Sequence, residues 1–415
     1  MEHKQSGRSK RVCFGDGGVI RGVLDREIGV SELEVIGGAL GQKGTVGLGF
    51  WGGEAAQKLA QAASKGIRAW GGTVLYHDME CAAQGAWITR NYRLERSLFI
   101  EHTCGRVFLH IFDRDGLPLR REEEVEIEEF LRCPSDNTDI PMGGQGRIQV
   151  ERSSYARDAV GRGALPRFRL HTVTAAVPGD SPADRALRRC LSLLGCTVVD
   201  HWRRGIPAFG AEYGGFCLSA QDERGTLLEP EQLLPMVCLI EMEQGSGKVA
   251  VPDGASAAVE LVAAGFGGDC LRLGRDGEKA RELYASQPWL RDAAFAAVRI
   301  CSRMAITGER LEELMAKTPR FSVRKREVPL RADQHKVMHE LARRHHRELS
   351  GDGLRVRTGN GWVYVAPMLR RHALRVVAES ADMELAAELC DFYVGRAVRT
   401  DRALFRQDAQ EGLEN

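Results

Sequence analysis

Thr45-Val-Gly-Leu-Gly-Phe50 and Thr73-Val-Leu-Tyr76 are short apolar runs separated by Glu54 to Gly66, in which Leu59, Ala62 and Ala63 share one side of a helix. Brief apolar runs next to glycines read as buried strands, and the spacing between them reads as helical. Strand, helix, strand is the grammar of a parallel pair, because parallel neighbours need a crossover and the usual crossover is a helix. The pattern returns twice. Arg169 to Val177 leads into Ser181 and Pro182 as cap and first helical residue; Leu187, Cys190, Leu191 and Leu194 face inward, Gly195 stops the helix, and Cys196 to Val199 is the next strand. Lys248-Val-Ala-Val251, a helix from Ser256 to Ala264, a stop at Gly265 and a strand from Cys270 to Leu273 form the third unit. The three units predict an α/β protein with parallel sheets covered by helices.

Upstream of the first unit, Ser31 and Glu34 have capping-box spacing, and Leu33, Ile36 and Leu40 recur on one helical face. Arg132 to Gly163 is rich in Gly, Pro, Ser, Asp and Arg, so part of it reads as a domain junction. Composition changes again at the basic, proline-punctuated passage Thr318 to Pro329. Beyond it a helix around His335 to Glu348 precedes strands at Leu354 to Arg357, Trp362 to Val365 and Leu374 to Val377, and a last helix runs from Asp382 to about Val398. That order predicts an α+β segment with an antiparallel sheet.

With 415 residues, 43% of them hydrophobic, the chain has room for several packed cores. Fifty-eight basic against fifty-seven acidic residues give a formal charge of +1, which offers no general field for nucleic acid or an anionic membrane. Neither is expected as a partner. The eleven cysteines show no CxxC pairing, which argues against a zinc ribbon or a disulfide framework and suits a reduced compartment. Met1 to Lys10 is polar and basic with no apolar run behind it, and no segment approaches about 20 apolar residues, so a cytoplasmic location is expected.

Phe14-Gly-Asp-Gly-Gly-Val-Ile-Arg-Gly22 resembles the Phe-Gly-Thr-x-Gly-Ile-Arg-Gly opening of the phosphohexomutases, with one residue extra and the Thr missing. Ile111-Phe-Asp-Arg-Asp-Gly-Leu-Pro-Leu119 and the acidic run after it resemble the end of that family's first domain. Leu218-Ser-Ala-Gln-Asp-Glu-Arg-Gly225 with Leu228 to Leu234 resembles the close of the second, and Gly361-Trp-Val-Tyr-Val-Ala-Pro367 with Leu374-Arg-Val-Val-Ala-Glu379 frames a fourth-domain loop of the family's length. The matches keep the family's order from residue 14 to about residue 395. The resemblance implies three related α/β/α domains with mixed, largely parallel sheets plus a C-terminal α+β domain, heart-shaped around a central cleft. The division expected is a tail at 1–10, domain I at 11–135, a junction and shortened domain II at 136–243, domain III at 244–320 and domain IV at 321–415.

The family's chemistry resides in four loops, each altered here. Its phosphoserine loop, Thr-Ala-Ser-His-Asn-Pro, corresponds to Ile100-Glu-His-Thr-Cys-Gly-Arg106, which puts Thr103 opposite the serine and adds the carboxylate of Glu101 beside it. The metal loop Asp-Gly-Asp-x-Asp-Arg, whose three carboxylates converge on magnesium, corresponds to Glu212-Tyr-Gly-Gly-Phe-Cys217, where only Glu212 could ligate. The sugar loop Gly-Glu-x-Ser-Gly-His is missing, since Leu283-Tyr-Ala-Ser-Gln-Pro-Trp-Leu290 runs straight into the helical pattern Asp292 to Met304. The phosphate loop Arg-Pro-Ser-x-Thr-Glu-Pro corresponds to Ala366-Pro-Met-Leu-Arg-Arg-His372, which leaves Arg370, Arg371 and His372 as an anion-site candidate. Arg21 of the opening signature is the cleft residue the resemblance supplies.

Phosphoryl transfer depends on positioning and charge stabilisation, so four altered loops together predict a non-catalytic binding or regulatory member of the family with no cofactor. Its partner would be a sugar phosphate, or an active mutase or homologous subunit. The alternative is an active phosphomannomutase, phosphoglucomutase or phosphoglucosamine mutase with unusual loops and bound magnesium. Blander readings stand elsewhere. Thr103 also reads as a turn residue, and Arg370 to His372 as a solvated basic loop. His335 and His339, with His345 and His346, read as an exposed helix face, and Gly245-Ser-Gly-Lys248 as a turn. Glu122 to Glu129 reads as a solvated helix face, and Trp51, Trp202 and Trp289 as core.

Overall fold

A computed structural model of the chain describes residues 12–15, 17–42, 44–133, 141–166, 171–343, 349–350, 353–359, 361–368 and 371–414. It divides into two units, Met1–Tyr155 and Ala156–Asn415. The first begins with β1 (Val19–Val23), α1 (Val30–Gly41), β2 (Thr45–Trp51), α2 (Gly53–Ala69), β3 (Thr73–Tyr76) and α3 (Ala82–Asn91). It continues through β4 (Arg96–Thr103), β5 (Arg106–Asp113), α4 (Arg121–Arg132) and β6 (Gln145–Arg147), and α5 (Arg152–Gly163) carries the chain into the second unit. The sheet order is β1-β5-β4-β2-β3-β6. β2 runs parallel to β3 and β4, as the strand-helix-strand reading requires, and β5 is antiparallel to β4 and β1. Val46, Leu48, Val74, Leu98 and Ile100 of the sheet pack with Leu33, Ile36 and Leu40 of α1 and Leu59, Ala63 and Ile67 of α2 in one core.

Three sequence readings change in this unit. α1 begins at Val30, and Glu32, not Glu34, closes its start by accepting the Gly29 amide at 2.9 Å, because the chain already turns into the helix before Ser31. Within the stretch read as junction, β6 extends the sheet parallel to β3, and α5 follows; polar composition hid them because β6 is a short edge strand. The acidic helix α4 is not simply solvated. Glu124 and Glu128 are buried, held by Arg121 at 3.0 and 3.4 Å, and Glu128 accepts the Phe14 amide at 3.0 Å.

The second unit contains β7 (Thr174–Ala176), α6 (Pro182–Leu194), β8 (Thr197–Val199), β9 (Ala208–Glu212), β10 (Cys217–Gln221), β11 (Leu227–Leu228) and α7 (Pro230–Glu243). Their sheet, β11-β10-β9-β7-β8, is parallel at β7–β8 and β7–β9 and antiparallel beyond. Then come β12 (Lys248–Val251), α8 (Ala258–Gly265), β13 (Asp269–Arg272), α9 (Leu273–Ser286), α10 (Ala293–Thr307) and α11 (Leu311–Ala316), with β12 and β13 a parallel pair. Of the expected strand from Arg169, residues 169–170 lie outside the described ones. Gly245 and Gly247 have positive φ and Lys248 opens a strand, as a turn requires.

The chain ends with β14 (Ser322–Pro329), α12 (Gln334–Ala342), β15 (Leu349–Ser350), β16 (Gly353–Thr358), β17 (Gly361–Met368), β18 (Ala373–Ser380) and α13 (Met383–Glu414). The sheet β14-β18-β17-β16-β15 is antiparallel throughout. The basic passage read as a boundary is therefore a strand; as an edge it carries charge where a central strand would carry apolar residues. α12 ends at Ala342, and His345 and His346 lie outside the described residues. α13 outlasts the expected stop near Val398, running through Gly395 without a break, and buried Asp401 accepts the amides of Arg331 and Ala332 at 2.8 and 2.9 Å.

Candidate functional site

In an open α/β sheet, ligand chemistry gathers where parallel strands end at their carboxyl ends. In the first unit these ends are the turn from β2 into α2, the segments after β3 and β6, and the tip joining β4 to β5. Thr103 is the last residue of β4 and pairs with Arg106 across a turn of only Cys104 and Gly105. Both turn residues have positive φ, 49° and 73°, the signature of the tight turn that matches strand twist. No loop of family length stands there. Thr103 is exposed, and its hydroxyl lies 3.9 Å from the Cys104 sulfur. A Cβ at Gly52, whose φ is 120°, would come within 2.2 Å of the His102 carbonyl oxygen, so the β2–α2 turn closes directly on the end of β4.

Behind the tip lies a group that isolated histidines in a sequence do not signal. Register places Gly49, Phe99 and His110 side by side across β2, β4 and β5, with Glu101 two residues further along the same face. His110 Nε2 is 3.8 Å from Glu101 Oε2. His77, just past β3, stacks on Phe99 at 6.3 Å, and a Cβ on Gly49 would come within 2.1 Å of its ring. Neither ring nitrogen of His77 has a hydrogen-bond partner among the described residues, and burial pushes its pKa down to about 4 against a small opposing pull from Asp78. Arg21 is exposed on β1, where it pairs with Phe108 of β5. Arg21 and Thr103 therefore share the β1-β5-β4 part of one sheet.

The remaining candidates lie in the second unit, and no hydrogen bond or ion pair among described residues joins them. Glu212 ends β9 opposite Cys217 of β10 across a tight turn that holds Gly214 and Gly215. Burial, then the nearby Glu212 and Glu231, push the Cys217 thiol up to about 11, so it remains a thiol at neutral pH and adds no anionic ligand. No group of three or more His, Cys, Asp or Glu among the described residues could hold a metal ion. This turn does not fit a magnesium ion, which wants several oxygen ligands in a near-octahedral arrangement. At the start of β18, exposed Arg371 is paired with Glu327 of β14 at 2.6 Å, and the His372 carbonyl accepts the Leu330 amide at 2.8 Å. Arg370 lies outside the described residues. Where the sugar loop would be, α9 passes through a short turn, Pro288–Leu290, into α10.

The tryptophans divide. Trp289 lies under the Arg299 guanidinium at 3.9 Å, and Trp202 donates its indole N–H to the Asp222 carbonyl at 3.0 Å. Trp51 is 37% exposed, against the expectation of core packing, because it is the last residue of β2 and leaves the sheet there.

No sequence profile of a protein family matches the chain. A Methanopyrus kandleri protein named "probable phosphoglucosamine mutase" is 28% identical over 196 residues, 41% of this chain and 43% of that one. The phosphoglucosamine mutase of Bacillus licheniformis is 22% identical over 344 residues, 69% of this chain and 73% of that one. A phosphoglucomutase/phosphomannomutase family protein from Burkholderia thailandensis superposes with a TM-score of 0.75 at 15% identity, covering 94% of this chain and 98% of its own. The chain has the fold of the α-D-phosphohexomutases and is similar in sequence to phosphoglucosamine mutases. An Aspergillus fumigatus N-acetylphosphoglucosamine mutase, solved with GlcNAc-6P and magnesium, shares the phosphohexomutase fold at a TM-score of 0.54 and 9% identity, with 94% of this chain covered and 96% of that one. No helix among the described residues is long and apolar enough to cross a membrane.

Proposed function

We propose that this chain is a non-catalytic phosphohexomutase relative, a binding or regulatory protein that recognises a sugar phosphate or an active homologous subunit. The observation that carries the reading is the two-residue turn after Thr103, which leaves no loop to hold a phosphorylated residue beside a metal. The single carboxylate of Glu212 and the direct passage from α9 to α10 support it independently. The division into four domains at 11–135, 136–243, 244–320 and 321–415, and the cytoplasmic location, belong to the same proposal.

The ligand class follows from the family, since the A. fumigatus enzyme binds GlcNAc-6P. The names of the relatives favour a second reading, an active phosphoglucosamine-type mutase that uses magnesium. Turnover separates the two. The purified chain is expected to show no magnesium-dependent interconversion of hexose or hexosamine 1- and 6-phosphates with a 1,6-bisphosphate activator. Turnover that disappears in Thr103→Ala would overturn the proposal. The ligand half predicts that sugar phosphates raise the melting temperature of the wild type and not of Arg370→Ala/Arg371→Ala.

A further inference from the structure

β14 is a terminal strand: it pairs with β18 along one side, and no described residue pairs with its other side. Half of the backbone N–H and C=O groups of an edge strand point away from its neighbour, so eight extended residues present an unfilled hydrogen-bonding rim. α13 lies along the same strand. Between them runs a groove of ≈ 660 Å³ walled by Arg324, Lys325 and Arg326 of the strand and by Ala387, Cys390 and Asp391 of the helix. The short Ala387 and Cys390 side chains leave room there. A strand edge beside a helix is the geometry in which proteins add an extended peptide to a sheet.

Charge selects the occupant. Val328 is buried on the helix side of the sheet, so alternation puts Arg326 and Arg324 on that side as well. Arg326 meets Asp391 only at 3.9 Å, with both side chains about two-thirds exposed (67% and 70%), and Arg324 has no carboxylate partner among the described residues. Lys325, on the opposite face, is engaged by Glu231 at 2.6 Å. A second copy pairing antiparallel through the same edge would set these cations against one another, which is destabilising. An acidic strand would instead meet the unpaired Arg324 guanidinium and that of Arg326, which Asp391 holds only at long range. We infer that β14 and α13 form a docking slot for an extended acidic peptide that joins the fourth sheet as its outer strand, with carboxylates at alternate positions facing Arg324 and Arg326.

The test is fluorescence polarisation on the full chain with a labelled peptide alternating Glu and Val over the length of β14. A Lys/Val counterpart reverses the charge, and a Glu/Val peptide with alternate backbone nitrogens methylated keeps the charge but removes donors. The Glu/Val peptide is expected to bind, the Lys/Val peptide not to, and backbone methylation to weaken binding about tenfold or more. Arg324→Glu/Arg326→Glu is expected to abolish binding with an unchanged melting temperature. Should that variant melt early, hydrogen exchange on the wild type decides: slowing at residues 322–329 on peptide addition supports the slot, and no slowing overturns it. Absence of Glu/Val binding overturns it too, and so does equal binding of the methylated peptide, which would be charge attraction alone. A self-association competed away by the peptide would make a second copy the occupant and likewise sink the inference.

Discussion

His77 has an aromatic ring on one side, a glycine on the other and no partner for either nitrogen among the described residues. Its pKa falls from an ordinary 6.5 to about 4 in the folded chain. Between those values the unfolded chain binds more protons than the folded one, so stability rises with pH there. The contribution of neutral His77 is complete above its unfolded pKa and is lost as pH drops toward the folded one, amounting to about 3 kcal/mol. Urea unfolding of the wild type from about pH 7.5 to about pH 4.5 should therefore show a steeper acid loss than His77→Leu. Parallel pH profiles in the two proteins would refute this account. Thr103, by contrast, was legible as a position and not as a role. The alignment of loops marked the residue, while the two-residue turn that follows it became visible only from strand pairing.

The helix α6 joins local and long-range structure through its cap. Ser181 accepts the Asp184 amide at 3.1 Å, and Asp184 returns one carboxylate oxygen to the Ser181 amide at 3.2 Å and its hydroxyl at 2.7 Å. The other oxygen of Asp184 accepts the Ala211 amide of β9 at 2.9 Å. Ser181→Ala removes part of a cap and should cost about 1 kcal/mol. Asp184→Ala also strands a strand amide and should cost about 2–3 kcal/mol. Denaturant midpoints measure both, and an equal loss would mean that the bond to Ala211 contributes nothing. Ser181 and Pro182 marked the start of this helix in the sequence because capping is local chemistry. β14 was missed for the opposite reason. Its Arg-Lys-Arg run makes sense only at a sheet edge, and edge status belongs to the sheet, not to the strand.

Across the second unit, the third and fourth sheets meet on the segment Pro252 to Ala257. Arg272, fully buried, donates to the carbonyls of Pro252, Asp253, Ala255 and Ser256 and pairs with Glu260 at 3.1 Å. From the fourth sheet, Arg355 donates to Asp253 and Ala255, and buried Glu379 accepts the Ala257 amide at 2.7 Å. Glu379→Ala should cost about 2–3 kcal/mol, because it leaves that amide unsatisfied and takes a carboxylate from beside Arg355. Calorimetry of the variant tests this, and an unchanged melting temperature would contradict it. By itself the sequence determined the α/β class, the three parallel crossovers, the antiparallel C-terminal sheet and the resemblance to the phosphohexomutases, because hydrophobic period, caps and glycine stops are local signals repeated in order. Tertiary structure alone decided what the altered loops became. The length of the β4–β5 turn is set by the register across that hairpin, whereas the burial of Glu128 in an acidic run and the free edge of β14 depend on partners far away in sequence.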